Sequence, residues 1–345
     1  PLILIVFAAP VIAMAAAGTI VTYLFRLTPN IRTRLARDHV IVCGVGRMGK
    51  LLCAGLRAEG TPVVGVDRAP AEEFDEWRAE TRVPVLTGDF HSPTVLLKAG
   101  ALRARSIIFA SGNDLANLEA AVGAYAHLKT DQGPVRLLWV HIAEEKLADV
   151  AREAIRTEGR VGIRFFDSYS LAAERMLQRY FGLAERRGVT EVAIVGFGKF
   201  GRDLYETLAR NLSAEENGFK FFIIDRFDLS REVAVLAEEL GMAERTTFEP
   251  GNIRDLDLDR AAGRAFFLCT DDDLGNLTAA MSLAHRFRCA HIYVRMAHWP
   301  MTGVAEHLGE DCGVTFINLN ELMIEGIRGL PGIFATPTVH DLKRQ

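Results

Sequence analysis

Two short stretches carry the residues that point to chemistry. Gly44-Val45-Gly46-Arg47-Met48-Gly49 and Gly196-Phe197-Gly198-Lys199-Phe200-Gly201 each read G-x-G-x-x-G. Each follows a β-branched run and opens a helix-like segment. Further on, each is followed by an apolar segment that ends in an acid and a base, Asp67-Arg68 and Asp225-Arg226. A strand, such a turn and a helix, with an acid downstream, form the dinucleotide-binding fingerprint. Gly44 and Gly196 permit the tight turn, Gly46 and Gly198 let the backbone approach a pyrophosphate, and Gly49 and Gly201 let helix pack on strand. The helix N-terminus offers N–H groups and a positive dipole end to phosphate. Arg47 and Lys199 project a cation from the same turn. Asp67 and Asp225 stand where a carboxylate accepts hydrogen bonds from ribose hydroxyls, which favours NAD-type or adenosine ligands over a 2′-phosphate.

These stretches belong to an internal duplication. After the glycine loops, Val85–Asp89 matches Thr247–Asn252, and Ile107–Asn117 (IIFASGNDLAN) matches Phe266–Asn276 (FFLCTDDDLGN). Leu137–Ile142 then pairs with His291–Met296, and Arg164–Asp167 with Thr315–Asn318. An insertion at Leu212–Asn217 accounts for the greater length of the second copy. Short apolar strands alternating with helical segments predict an α/β protein: two tandem Rossmann-like, doubly wound parallel sheets. The expected domains are 38–188 and 189–345. The second copy departs from the first in carrying Asn252 where the first has Asp89.

The run I-V-C-G-x-G-R-x-G, then V-D-R, T-G-D and S-x-N-D-x-x-N resembles the Trk-type NAD-binding domain, also called the regulator of potassium conductance (RCK) domain. The resemblance covers 39–180 and again 191–325. It implies a cytoplasmic regulator of potassium channels or transporters. It also implies that Gly44, Gly46, Arg47, Met48 and Gly49 hold phosphates, and Asp67 and Arg68 the adenosine ribose and its surroundings. Asp89 and Phe90 would meet the adenine edge, and Ser111 and Asn113 the distal half of the ligand. In the second copy the roles fall to Gly196, Gly198, Lys199, Phe200, Gly201, Asp225, Arg226 and Asn252, with Thr270 and Asp271 at the distal loop. The implied ligand is NAD or NADH, alternatively ADP or ATP. The implied assembly is a homotetramer presenting eight Rossmann lobes to a potassium pathway.

Pro1–Phe25 contains no charged residue. As a helix it would span about 37 Å, enough to cross a hydrocarbon core of about 30 Å. Arg26, Arg32, Arg34 and Arg37 follow with no acid before Asp38, and a basic flank marks the cytoplasmic side. Residues 1–26 are thus expected to form a transmembrane helix resembling a pore-lining inner helix, and 27–37 a basic linker. This places the protein in the inner or plasma membrane with its Rossmann domains in the cytoplasm.

Composition excludes several classes. Lys plus Arg is 40 against 44 for Asp plus Glu, a net charge of −4 that argues against a nucleic-acid coat. Five cysteines without a C-x-x-C argue against a disulfide framework or a cysteine zinc site. Val195-Gly196-Phe197-Gly198 looks like a potassium filter but lies between a soluble strand and a polar helix. Asp271-Asp272-Asp273 invites calcium less than it invites a helix cap. Cys289, His291 and His298 lack a fourth metal ligand. The apolar face of the helical stretch Ser168–Phe181 suits packing between elements. An NAD-dependent oxidoreductase would need an acid or base near the nicotinamide, and only His141 and Arg295, at strand ends, suggest themselves. A tethered regulatory subunit of a separate transporter is the other alternative to a channel module. No catalytic residue and no metal site are expected.

Overall fold

The computed structural model describes residues 36–131, 133–212, 219–252, 264–286, 291–297 and 313–342. The expected transmembrane helix, nearly all of the basic linker, most of the 212–217 insertion, Cys289, His298 and Cys312 lie outside them. Among the described residues, no helix is long and apolar enough to cross a membrane.

Contacts divide the chain into two units. One runs to Phe166 and includes the segment from Leu330 on; the other is Asp167–Gly329. The 188/189 boundary read from the repeats is therefore not where the contacts divide. The segment Asp167–Gly188 is grouped with the second sheet, and the last residues with the first.

The first unit is a parallel sheet of six strands: β1 (Val40–Cys43), β2 (Val63–Asp67), β3 (Val85–Thr87), β4 (Ser106–Phe109), β5 (Arg136–His141) and β6 (Val161–Phe166). Their spatial order is β3-β2-β1-β4-β5-β6, the doubly wound Rossmann order, with its switch point between β1 and β4. The strands are near-continuous apolar runs, as required of strands covered on both faces. β1 and β4 are buried throughout. Helices α1 (Arg47–Ala58), α2 (Asp75–Thr81), α3 (Pro93–Lys98), α4 (Asp114–Leu128) and α5 (Glu145–Ala154) connect them. One face of the sheet, Ile41, Cys43, Ile107, Phe109, Leu138 and Val140, packs against Ala120, Ala121 and Ala124 of α4. The small alanine side chains let this helix lie close on the sheet.

The second unit repeats the plan with β7 (Glu191–Val195), β8 (Lys220–Asp225), β9 (Thr246–Pro250), β10 (Arg264–Leu268), β11 (His291–Met296) and β12 (Val314–Asn318). The order is β12-β11-β10-β7-β8-β9, the same topology run from the other edge. Both sheets expected from the repeats are therefore present. Helix α6 (Ser168–Tyr180) precedes this unit; α7 (Lys199–Leu212), α8 (Ser230–Glu239), α9 (Asp273–Arg286) and α10 (Leu319–Arg328) complete it. Behind the second sheet, the Phe181 ring meets Phe267 edge-on at 5.3 Å, and Phe267 stacks on Tyr293 at 4.8 Å.

Helix α6 packs on both α10 and α7. The approach to α10 is close enough that a Cβ on Gly326 would stand 2.7 Å from Leu171 Cβ. At the solvent edge Arg179 donates at 2.9 Å to Glu321 and to Glu325. Being half exposed, these pairs add little beyond alignment.

The segment after α10 runs along the first unit as backbone acceptors for buried donors. Ser106 Oγ donates to Gly332 O, Trp139 Nε1 to Pro331 O at 3.2 Å, and Arg105 Nη2 to Ile333 O and Phe334 O at 3.2 Å. Arg164 Nη2 donates to Asp341 O and Leu342 O at 3.0 and 2.7 Å. Burial lowers the pKa of both guanidiniums, so these carbonyls supply solvation that water would otherwise give.

Where α6 meets α7, two carboxyl groups adjoin. Asp167 caps α6, its Oδ1 accepting from Tyr169 N at 2.9 Å. Asp203 of α7 has a buried Oδ2 that no donor reaches. Burial, and then the Asp167 carboxyl beside it, raise the Asp203 pKa well above the ordinary 3.8. The native chain thus keeps a proton there that the unfolded chain gives up above about pH 4, so stability falls as pH rises beyond that point. Asp203→Asn keeps the neutral shape without the titration. We expect it to raise stability at pH 8, on the order of a few kcal/mol, with the gain vanishing toward pH 4. Urea unfolding at the two pH values measures this, and a gain that does not depend on pH would contradict it.

Candidate functional site

The two glycine loops are superposable in their chemistry. Each first glycine sits at positive φ, +85° at Gly44 and +90° at Gly196, and a Cβ on either would stand 2.7–2.8 Å from the backbone nitrogen of Ser111 or Thr270. Each third glycine, Gly49 and Gly201, leaves no room for a Cβ, which would overlap the carbonyl oxygen of Gly44 or Gly196. The middle glycines differ from these. At Gly46 and Gly198 an added Cβ would meet nothing within 4 Å, so each faces open space. That absence of a neighbour is what a cradle for an external group requires.

The helices that begin here have no acid in their first turns. Lys50 N donates to Gly46 O and Arg202 N to Gly198 O, each at 2.9 Å. No side chain caps α1. The leading N–H groups and the positive dipole end therefore face the space above Gly46 and Gly198. Arg47 and Lys199 are exposed at the same place.

The two acids Asp67 and Asp225 do structural work beside the glycine turns. Asp67 accepts from Val45 N at 2.6 Å and Ala69 N at 2.9 Å. Asp225 accepts from Phe197 N at 2.7 Å and Phe227 N at 3.0 Å. Each carboxylate ties the end of its strand to the glycine turn, and its remaining lone pairs can accept from hydroxyls. Arg68 and Arg226 are exposed beside them.

In each unit a buried asparagine joins the ends of two neighbouring strands. Asn117 accepts from Ser111 N at 2.9 Å and Ser111 Oγ at 2.6 Å, and donates to Ser111 O and His141 O at 3.0 Å. Asn276 accepts from Thr270 Oγ1 at 2.5 Å and donates to Thr270 O and Arg295 O at 2.9 and 3.1 Å. His141 and Arg295 thus occupy equivalent places in the two units, as the pairing of Leu137–Ile142 with His291–Met296 has them. Both are buried. The three acids after Thr270 go to three partners: Asp271 to Arg295 Nη1 at 2.6 Å, Asp272 to Gly275 N at 2.9 Å, and Asp273 to Ala297 N at 3.0 Å. Among the described residues, no group of three or more potential ligands can hold a metal ion.

Other expected positions are placed as follows. Asp89 is exposed and accepts from His91 N at 3.0 Å and His91 Nδ1 at 2.7 Å, which lowers its pKa. Phe90 is buried, edge-on to Phe109 at 6.3 Å. Asn113 caps α4 through Ala116 N at 3.0 Å. Met48 is half-buried, and its counterpart Phe200 is buried. The thiols of Cys43, Cys53 and Cys269 are free and buried, and burial raises their pKa, that of Cys269 to about 12.

In the second unit these parts enclose a cleft of about 790 Å³, with Gly198, Asp225, Asn252, Thr270, Asp271 and Arg295 among its walls. That size suits a nucleotide.

Fold and loops together define two units of the Rossmann type. Residues 40–155, within the first unit, match the TrkA-N domain, the resemblance that its glycine loop and S-x-N-D-x-x-N run indicated. An uncharacterized protein of Methanothermus fervidus is 31% identical over 88 residues, 26% of this chain; the match spans 14% of that relative's length. The fold is also that of solved RCK structures. GsuK bound to ADP superposes with a TM-score of 0.60 at 17% identity, covering 86% of this chain and 70% of that one. The GsuK channel bound to NAD gives 0.60 at 15% identity, covering 88% and 67%. The human SLO3 gating ring gives 0.55 at 10% identity, covering 84% and 82%.

The different surroundings of the glycines predict different outcomes for one substitution. Gly44→Ala and Gly196→Ala introduce both a positive-φ strain and a backbone collision, at a cost of about 1–3 kcal/mol or more. Gly46→Ala and Gly198→Ala change stability by about 1 kcal/mol or less. Thermal unfolding of the four variants distinguishes them; equal losses at all four would show that the middle glycines are packed rather than open.

Proposed function

We propose that this chain is the nucleotide-sensing regulatory module of a potassium channel, not an enzyme. NAD(H) or an adenine nucleotide occupies the Rossmann clefts and favours one arrangement of the domains, and residues 1–37 pass that change to a membrane pore. The observation that carries this is the pair of open cradles, with Gly46 and Gly198 facing empty space below helix N-termini that have no acid in the first turn. The TrkA-N match and the likeness to structures described as GsuK bound to ADP and to NAD support it.

Energetically, the ligand contributes only its differential affinity for the two arrangements, typically about 1–3 kcal/mol. By the same linkage, whatever holds the pore in one state changes nucleotide affinity by an equal factor. Phosphates fall to Gly46, Arg47, Met48 and Gly49, and to Gly198, Lys199, Phe200 and Gly201. Riboses fall to Asp67 with Arg68, and to Asp225 with Arg226. Asp89, Phe90 and Asn252 flank the adenine, and Ser111, Asn113, Thr270 and Asp271 the distal half. The assembly in this proposal is a homotetramer at the plasma membrane, its eight lobes in the cytoplasm.

Calorimetric titration of the purified chain with NAD, NADH, ADP and ATP tests the proposal, repeated with Asp67→Ala and Asp225→Ala. Saturable binding that weakens at least tenfold in one of the variants is expected. No heat with any of the four nucleotides would reduce the glycine loops to packing devices and end the proposal.

A further inference from the structure

Where the two units align, one pair of neighbouring positions changes together. In the first unit the distal loop carries Gly112, and the end of β5 carries His141; in the second unit the same positions hold Asp271 and Arg295. The equivalence follows from the asparagines, since Asn117 donates to His141 O and Asn276 to Arg295 O. Gly112 faces open space, with nothing within 4 Å of an added Cβ. Its counterpart Asp271 instead projects a carboxylate that closes on Arg295 at 2.6 Å.

That ion pair is lopsided. The Arg295 side chain is only 4% exposed and that of Asp271 92%. Arg295 Nη1 also donates to Cys269 O and Thr270 O, each at 3.0 Å, which fixes the guanidinium against the loop. Its Nε is buried and has no partner. A desolvated guanidinium with donors to spare is a strong anion receptor. Its present partner is weakly committed, because a carboxylate that is almost wholly in water loses little on leaving. Arg295 lines the same cleft as Gly198 and Lys199. The loop it holds lies against the phosphate turn, with Thr270 N 2.7 Å from where a Cβ on Gly196 would stand.

We propose that the second cleft is built for a nucleotide that ends in a free phosphate, with Arg295 as the residue that reads that phosphate and Asp271 as the carboxylate it displaces. A terminal phosphate has a second negative charge and three rotatable oxygens, so it can replace Asp271 and bond the guanidinium more strongly. The phosphates of a dinucleotide are internal with one charge each, and its distal nicotinamide, whose ring is cationic in NAD, offers the guanidinium an amide acceptor but no negative charge. The first cleft, with Gly112 at this point, leaves that distal space open for the longer ligand. The two halves of the duplication thereby divide the ligand classes between them. This inference rests on the proposed nucleotide-binding function and assigns its specificity.

The test is calorimetry on the full chain carrying Gly46→Ala, which blocks the first cleft, with ADP and NAD as probes. Asp271→Asn removes the competing carboxylate from an exposed position and leaves the fold intact; it should tighten ADP at least fivefold and change NAD less than twofold. Arg295→Gln should weaken ADP at least tenfold and change NAD far less, with thermal unfolding confirming that the protein remains folded. If ADP binds and Asp271→Asn leaves it unchanged or weaker, the assignment is overturned while the nucleotide-binding function stands. If neither probe binds even the unsubstituted chain, the function itself fails and this inference with it.

Discussion

Each unit of this protein hangs on a carboxylate bonded to the backbone of a glycine turn. Asp67 and Asp225 end the second strand of their sheets and accept hydrogen bonds from Val45 N and Phe197 N, between the first two glycines. A charge-assisted bond of this kind is stronger than a neutral one. It locks two adjacent strand ends and holds the turn at positive φ, where only glycine is comfortable. The helix that follows can then start directly above the sheet with its leading N–H groups uncovered. The open cradle, the direction of the helix dipole and the depth of the cleft all follow from that bond.

The same acid therefore serves two purposes. It organises the empty site through the backbone and retains lone pairs for a sugar. A single substitution would disturb both, so loss of binding on its own does not separate them. The glycines do, because their roles are divided by position: the first sets conformation, the third sets packing distance, and the middle one only borders space.

Much of this was legible in the sequence because it depends on local spacing. Strand runs, glycine intervals and downstream acids repeat in order, and duplication made each copy a check on the other. What was not legible depends on register across the sheet. Nothing in the sequence pairs Arg295 with Asp271; the neighbouring ends of β10 and β11 bring them together. Asp203 reads as an ordinary exposed helix acid until α6 lays the Asp167 carboxyl beside it. The three consecutive acids after Thr270 look like one cluster, yet alternating backbone directions send them to an arginine, a helix start and a neighbouring strand end. The segment Asp167–Gly188 is grouped with the second sheet because α6 packs on α7 and α10, whereas a repeat ends where similarity ends.

The carbonyls of Pro331 to Phe334 and of Asp341 and Leu342 complete the hydrogen bonding of Arg105, Ser106, Trp139 and Arg164. The first unit is thus finished by the part of this segment that the ribosome makes last. Domains generally fold as they emerge, N-terminal first, but here the leading sheet must wait, with buried guanidiniums short of acceptors, until the entire second sheet has been synthesised. Translation order and folding order are decoupled, and a nascent chain stalled anywhere before residue 330 would expose an unfinished first sheet to the quality-control machinery of the cell.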